Sequence, residues 1–196
     1  MTKPSQIWLI RHGETEWTLT GQHTGREDLP LTARGEKEAL QAGALLTGIQ
    51  FDGVLVSTLQ RARRTAELAG HLAQGTLEPL VQEWNYGQLN GRTFEQIREE
   101  FPGWSVWRGP VPGGESIEDV AQRADTVLDR VLTQGGAFAI FSHGHFLRVL
   151  TARFLDLDPR AAKHFALATA ALSVLGFDNG FPAILQWNVK SSISPR

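Results

Sequence analysis

The sequence contains no cysteine. That excludes a disulfide framework, thiolate metal sites and a cysteine nucleophile, and it suits the reducing cytoplasm. Long apolar runs are also missing: residues 7–10 are cut off at Arg11 and His12, and the stretches 137–141 and 166–175 are short or interrupted by small and polar residues. Neither a membrane-spanning helix nor a secretory signal core is expected. Nor is there an excess of one charge. A net charge of −2 gives no global attraction to nucleic acid or an anionic membrane, so any anion must be held by a local group of cations. Lysine is scarce, 4 against 15 arginines. Arginine is the better bidentate partner for phosphate or carboxylate, and a compositional bias in the source genome would give the same ratio. No repeat, low-complexity tract or Gly/Ser/Pro-rich linker divides the chain.

What is present fits one globular domain over residues 1–196. With 41% hydrophobic and 20% charged residues, the composition is ordinary for a folded protein that buries its own core. Apolar segments at 6–10, 53–57 and 137–142 have the length and bounding residues of buried strands. Between them the spacing turns helical. Thr32 caps a helix through about Leu46, and Ser57 or Thr58 caps one over roughly 59–73. Capping boxes Thr93 with Gln96 and Ser116 with Asp119 open helices to about Phe101 and Thr133, and another runs from His145 to Leu155. Segments 174–177 and 183–187 are the last strands, joined by the turn residues Asp178, Asn179 and Gly180. The alternation predicts a three-layer α/β/α sandwich with a mainly parallel central sheet, whose functional residues gather at the carboxyl ends of the strands.

Three such ends carry chemistry. The first strand runs into Arg11, His12, Gly13 and Glu14, where a cation, an imidazole and a Gly permitting close backbone approach make an anion site. The second leads into a helix with Arg61 one turn inside, on the side where helix starts attract anions; Arg63 and Arg64 read as a solvated face. The third ends in Ser142, His143, Gly144 and His145. The topology therefore offers Arg11, His12, Arg61 and His143 to one edge of the sheet.

The segments RHGETEW (11–17), STLQRARRT (57–65), EWNYGQLNG (83–91), GGES (113–116) and FSHGHFLR (141–148), in this order over nearly the whole chain, resemble the signatures of the histidine phosphatase superfamily, the phosphoglycerate-mutase-like proteins. The resemblance implies a nucleophilic His12 that becomes a phosphohistidine, with Arg11, Arg61 and His143 around the phosphoryl oxygens. Glu83 would be the general acid and then the base, and packing beside Trp84 would favour its protonated form. The loop 18–30 matches the position that folds over the phosphate, with Thr18, Gln22, His23, Thr24 and Gly25 as contacts, together with Gly144. Family members often have Asn where Thr18 stands.

The phosphoglycerate mutases of this family carry a longer insertion after the acidic Glu than residues 92–112 provide here, which favours a phosphatase with an open site. Within that branch, GQHTGREDLPLT resembles sedoheptulose bisphosphatases and some acid phosphatases, implying a small-molecule phosphate ester, a sugar phosphate or bisphosphate, as substrate. Trp84, Trp104, Trp107 and Arg108 either form the pocket wall or pack an exposed lid. A metal site is not expected, because His12, His23, His143 and His145 have no carboxylate at ligand spacing. No cofactor, nucleic acid or membrane partner is expected, and a homo-oligomer is left open. A catalytically silent phosphate binder would need neither His12 nor Glu83.

Overall fold

The structure is a computed structural model that describes residues 5–191. Its strands are β1 (Gln6–Arg11), β2 (Gly53–Val56), β3 (Thr76–Leu77), β4 (Ala137–Ser142), β5 (Leu172–Asp178) and β6 (Phe181–Val189). They form a single six-stranded sheet in the order β3-β2-β4-β1-β5-β6. The first four of these run parallel, while β5 and β6 are antiparallel to their neighbours. The helices are α1 (Glu16–Thr20), α2 (Ala33–Leu45), α3 (Gln60–Leu68), α4 (Phe94–Glu100), α5 (Ile117–Gln134) and α6 (Gly144–Phe154).

Alternation along the strands builds two cores, one on each face of the sheet. Ile7, Leu9, Leu55, Phe138, Ile140 and Leu175 pack with residues of α4, α5 and α6. Ile10, Val54, Val56, Ala139, Phe141 and Val174 face the other way, toward Ala42 of α2 and Ala66 of α3. Apolar residues on both faces are what a strand covered by helices on both sides requires, and the expected three layers follow.

Both capping boxes form as read, Thr93 with Gln96 and Ser116 with Asp119, and Thr32 caps α2. The helix expected over 59–73 is shorter. It stops at Leu68, because the chain turns at Gly70 with φ 82°, a conformation only Gly adopts freely. Neither Ser57 nor Thr58 caps it; Leu59 stands at the cap and offers no side-chain bond. The two hydroxyls are spent elsewhere, Ser57 on His143 and Thr58 on Gln82. The 178–180 turn joins β5 to β6 with Asn179 at φ 49° and Gly180 at φ 84°, the positive pair that a tight two-residue hairpin needs.

Because β2, β4 and β1 are parallel neighbours, their carboxyl ends line one edge. Arg11 lies opposite Ser142 and Val56 opposite Phe141. Main-chain bonds continue past the strands, from His12 N to Ser142 O (3.0 Å) and from Ser57 N to Phe141 O (2.9 Å). His12, Ser57 and His143 are thereby held in adjacent positions.

Candidate active site

The chain leaves β1 through Gly13, whose carbonyl is 2.7 Å from His12 Nδ1. A carbonyl only accepts, so Nδ1 carries the hydrogen and Nε2 keeps a bare lone pair. His12 is 4% exposed. Burial, then the charges of Arg61 and Arg11, holds its pKa well below the ordinary imidazole value, so the ring is neutral near pH 7. The turn is fixed from three sides. Gly13 N donates to Thr65 Oγ1 (3.1 Å), Glu14 N donates to Glu38 Oε2 (3.1 Å), and a side chain on Gly13 would collide with Gly35 O at 2.3 Å.

Two guanidinium groups flank this imidazole. Arg61 is fully buried and donates to Glu27 O (2.6 Å) and Gly25 O (2.7 Å). Burial lowers its pKa to about 10, and it remains a cation at neutral pH. Arg11 donates to Leu167 O (2.5 Å), and its charge is likewise buried. Main-chain carbonyls fix both groups without neutralising them. His143, buried at the start of α6, has its Nε2 2.7 Å from Ser57 Oγ, and its ring centre lies 5.2 Å from that of His12. Among the buried side-chain polar atoms without a hydrogen-bond partner are Arg11 Nε, Arg61 Nε and His143 Nδ1. Buried polar atoms are rarely left unpaired, and these three stand in one cluster just behind the cavity wall. Gly144 admits Arg11: a side-chain carbon there would lie 3.2 Å from the guanidinium carbon.

These groups open into a cavity of about 220 Å³, lined by Arg11, His12, Thr18, Gln22, His23 and Thr24, by Arg61, Glu83 and Gly144, and by others described below. Of the sequence candidates, His143 sits behind His12 rather than on the cavity wall. Gly25 contributes its carbonyl to Arg61 instead of lining the space. Thr18 lines it, but its hydroxyl is committed to the cap of α1, donating to Thr15 O (2.8 Å) and accepting from Thr15 N (2.8 Å). The Gln22 side chain is likewise occupied, its Nε2 donating to Gly91 O (2.7 Å) and its Oε1 accepting from Thr20 Oγ1 (2.5 Å).

Glu83 is not in the apolar setting that its Trp neighbour suggested. Its carboxylate accepts from three main-chain N–H groups, those of Trp84 (2.9 Å), His145 (3.1 Å) and Phe146 (2.9 Å). Two of these belong to the first turn of α6, where free N–H groups and the helix dipole favour an acceptor.

Gly21, read from the sequence as a loop glycine that permits close approach to a ligand, also lines the cavity, and residues outside the sequence candidates complete the wall: Trp17, Tyr86, His145, Arg148 and Leu167. A signal existed for two of them, since Gly144, His145 and Arg148 fall on one side of a helix at three- and four-residue spacing. Nothing local marks Leu167. Arg148 lies over the Trp107 ring at 4.6 Å and donates to Ala162 O (3.0 Å) and Lys163 O (3.1 Å). The Tyr86 hydroxyl pairs with His145 Nδ1. Trp84, Trp104, Trp107 and Arg108 are not on the wall. Trp104 and Trp107 instead pack edge-on behind His23 and His145, Trp84 is fully buried, and Arg108 is exposed. Among the described residues no group of three or more His, Cys, Asp or Glu side chains could hold a metal ion, and no helix is long and apolar enough to cross a membrane.

A family model, histidine phosphatase superfamily (branch 1), matches residues 7–190. The chain is 38% identical over 179 residues to an acid phosphatase of Mycobacterium tuberculosis, covering 89% of this chain and 88% of that protein. It is 30% identical over 200 residues to a Salmonella choleraesuis protein named "Probable phosphoglycerate mutase GpmB", with 95% and 92% covered. A solved structure of an open reading frame product from Mycobacterium tuberculosis superposes with a TM-score of 0.91 at 35% identity, covering 95% of this chain and 98% of that one.

Proposed function

Because the chain belongs to the histidine phosphatase superfamily, we propose that it hydrolyses a small phosphate monoester, a sugar phosphate or bisphosphate, through a phosphohistidine on His12. One observation carries this reading: a neutral imidazole with a bare Nε2 lies beside the guanidinium groups of Arg11 and Arg61, which are held by main-chain carbonyls and form no ion pair among the described residues. In the first step the Nε2 lone pair forms a P–N bond as the ester P–O bond breaks, and Glu83 gives a proton to the leaving oxygen. The Gly13 carbonyl, accepting from Nδ1–H, stabilises the positive ring that results. In the second step water gives a proton to Glu83 and attacks phosphorus; the P–N bond breaks, releasing inorganic phosphate and neutral His12. Arg11 and Arg61 offset charge on the phosphoryl oxygens throughout, and His143 packs behind His12.

The loop residues Thr18, Gln22, His23, Thr24 and Gly25, with Gly144, shape the site around the ester. Arg148 adds a third cation to the wall, which supports a second anionic group on the substrate. The lack of Cys supports a cytoplasmic setting. Acid quenching during turnover of labelled p-nitrophenyl phosphate should trap phosphate on the wild-type chain and none on His12→Ala. Full activity in His12→Ala would refute the mechanism. The Salmonella relative favours a second reading, a mutase. With 3-phosphoglycerate, the proposal predicts inorganic phosphate as the product and the mutase reading predicts 2-phosphoglycerate.

A further inference from the structure

The far side of the cavity holds two imidazoles, His23 from the loop after α1 and His145 from α6, whose rings are nearly parallel (11°) with centres 6.3 Å apart. Their hydrogen positions are set by different partners. His23 Nδ1 lies 3.1 Å from Arg92 O, a pure acceptor, so the hydrogen is on Nδ1 and Nε2 is left as an acceptor. His145 Nδ1 faces the Tyr86 hydroxyl. With the phenolic hydrogen donated to Nδ1, the hydrogen of His145 stands on Nε2. Burial keeps both rings in their neutral forms, and the Tyr86 phenol as well. Neither Nε2 has a partner among the described residues, and neither is sealed from solvent, since both are missing from the buried unpaired atoms. Trp104 and Trp107 pack edge-on against His23 and His145, at 5.4 Å and 5.0 Å between ring centres, and hold the rings in place.

One ring thus presents an acceptor and the other a donor, within the same cavity as His12. A hydroxyl group is both donor and acceptor, and it satisfies such a pair where an alkyl group leaves both nitrogens unpaired. We infer that His23 and His145 form a hydroxyl-reading pair that selects phosphate esters of polyhydroxylated alcohols, with a substrate hydroxyl donating to His23 Nε2 and accepting from His145 Nε2–H. The inference deepens the phosphatase reading and rests on it. Tyr86 is a positioning residue, because it acts only by fixing which nitrogen of His145 carries the hydrogen.

The test compares kcat/KM for sn-glycerol 3-phosphate with that for n-propyl phosphate and for 2,3-dimethoxypropyl phosphate, which keeps the electron-withdrawing oxygens but has no hydroxyl. Sites that hydrogen-bond a substrate hydroxyl reject the analogue lacking it strongly, so the wild-type chain should prefer glycerol phosphate by about a hundredfold or more. His23→Phe and His145→Phe should each shrink that preference at least about tenfold. Tyr86→Phe, which keeps the imidazole but frees its tautomer, should shrink it by a smaller factor. A wild-type preference near one overturns the inference, as does a preference unchanged in both Phe variants. Trapping of phosphate on wild-type His12 from p-nitrophenyl phosphate separates the two failures, since it reports the phosphatase mechanism with an ester that has no aliphatic hydroxyl.

Discussion

The proposed nucleophile is prepared before substrate arrives. His12 is neutral because burial and two cations oppose its protonation, so the acid limb of kcat/KM due to this residue should fall below the ordinary imidazole value of about 6.5. An acid limb at or above that value in a pH–rate profile would contradict the assignment. Arg61 makes two bonds with a planar fork, a geometry an ammonium cannot copy. Arg61→Lys should therefore lower kcat/KM by about 10²–10³, as measured with p-nitrophenyl phosphate. Both oxygens of Glu83 accept N–H bonds, so the amide of Glu83→Gln turns an NH₂ against at least one donor. That change should lower kcat/KM, which reports phosphohistidine formation, by about 10²–10⁴ for alkyl phosphates and much less for p-nitrophenyl phosphate, because nitrophenolate leaves without a proton. Equal losses on both esters would remove the acid role. With the arginines supplying the charge, activity should persist in EDTA; a requirement for added divalent ion would contradict this.

The groups of the candidate site are aimed by short segments packed against one another. Gly144 opens α6 where Arg11 crosses it, and Gly144→Ala would press a methyl group to 3.2 Å from the guanidinium carbon. Since Ala favours a helix, the melting temperature should hold while kcat/KM falls about tenfold through displacement of Arg11. Which elements could be read from sequence follows from the same packing. The strands ending at Arg11 and Ser142 and the capped helices α2, α4 and α5 were legible because burial on two faces and caps leave local marks. The exposed two-residue β3 leaves none, and α1, although capped by Thr15, buries no residue that would mark it. Reading Ser57 as a cap failed because its hydroxyl serves His143 from 86 residues away, and a tertiary use of that kind has no local signature. The core of the site, Arg11, His12, Arg61, Glu83 and His143, was legible through five ordered motifs. Leu167, which holds Arg11 with its carbonyl, was not, because only its backbone is used.

At the scale of the whole molecule, the buried imidazoles couple function to stability. Burial, the largest cause in each case, holds His12, His143 and His145 well below the ordinary imidazole value. In the unfolded chain they take up protons near pH 6.5; in the folded chain they do so only at lower pH. As pH falls between those limits the unfolded state binds more protons, so stability is lost by about 1.4 kcal/mol per pH unit for each such group. Urea unfolding should give a curve that is flat above pH 7.5 and declines below 6.5, and a curve that rises on acidification would contradict the neutral assignments. The reversal of chain direction at β5 has a consequence in time. The segment leading into that strand closes the far side of the site: Leu167 O takes Arg11, Ala170 N donates to His12 O (3.0 Å), and Arg11 N donates to Ala171 O (3.2 Å). The bond between Arg11 and Leu167 spans 156 positions of the chain, so the surroundings of the proposed nucleophile are completed only after a long loop has closed. Contacts of such separation form slowly, and refolding should regain the sheet's local order before it regains a competent site.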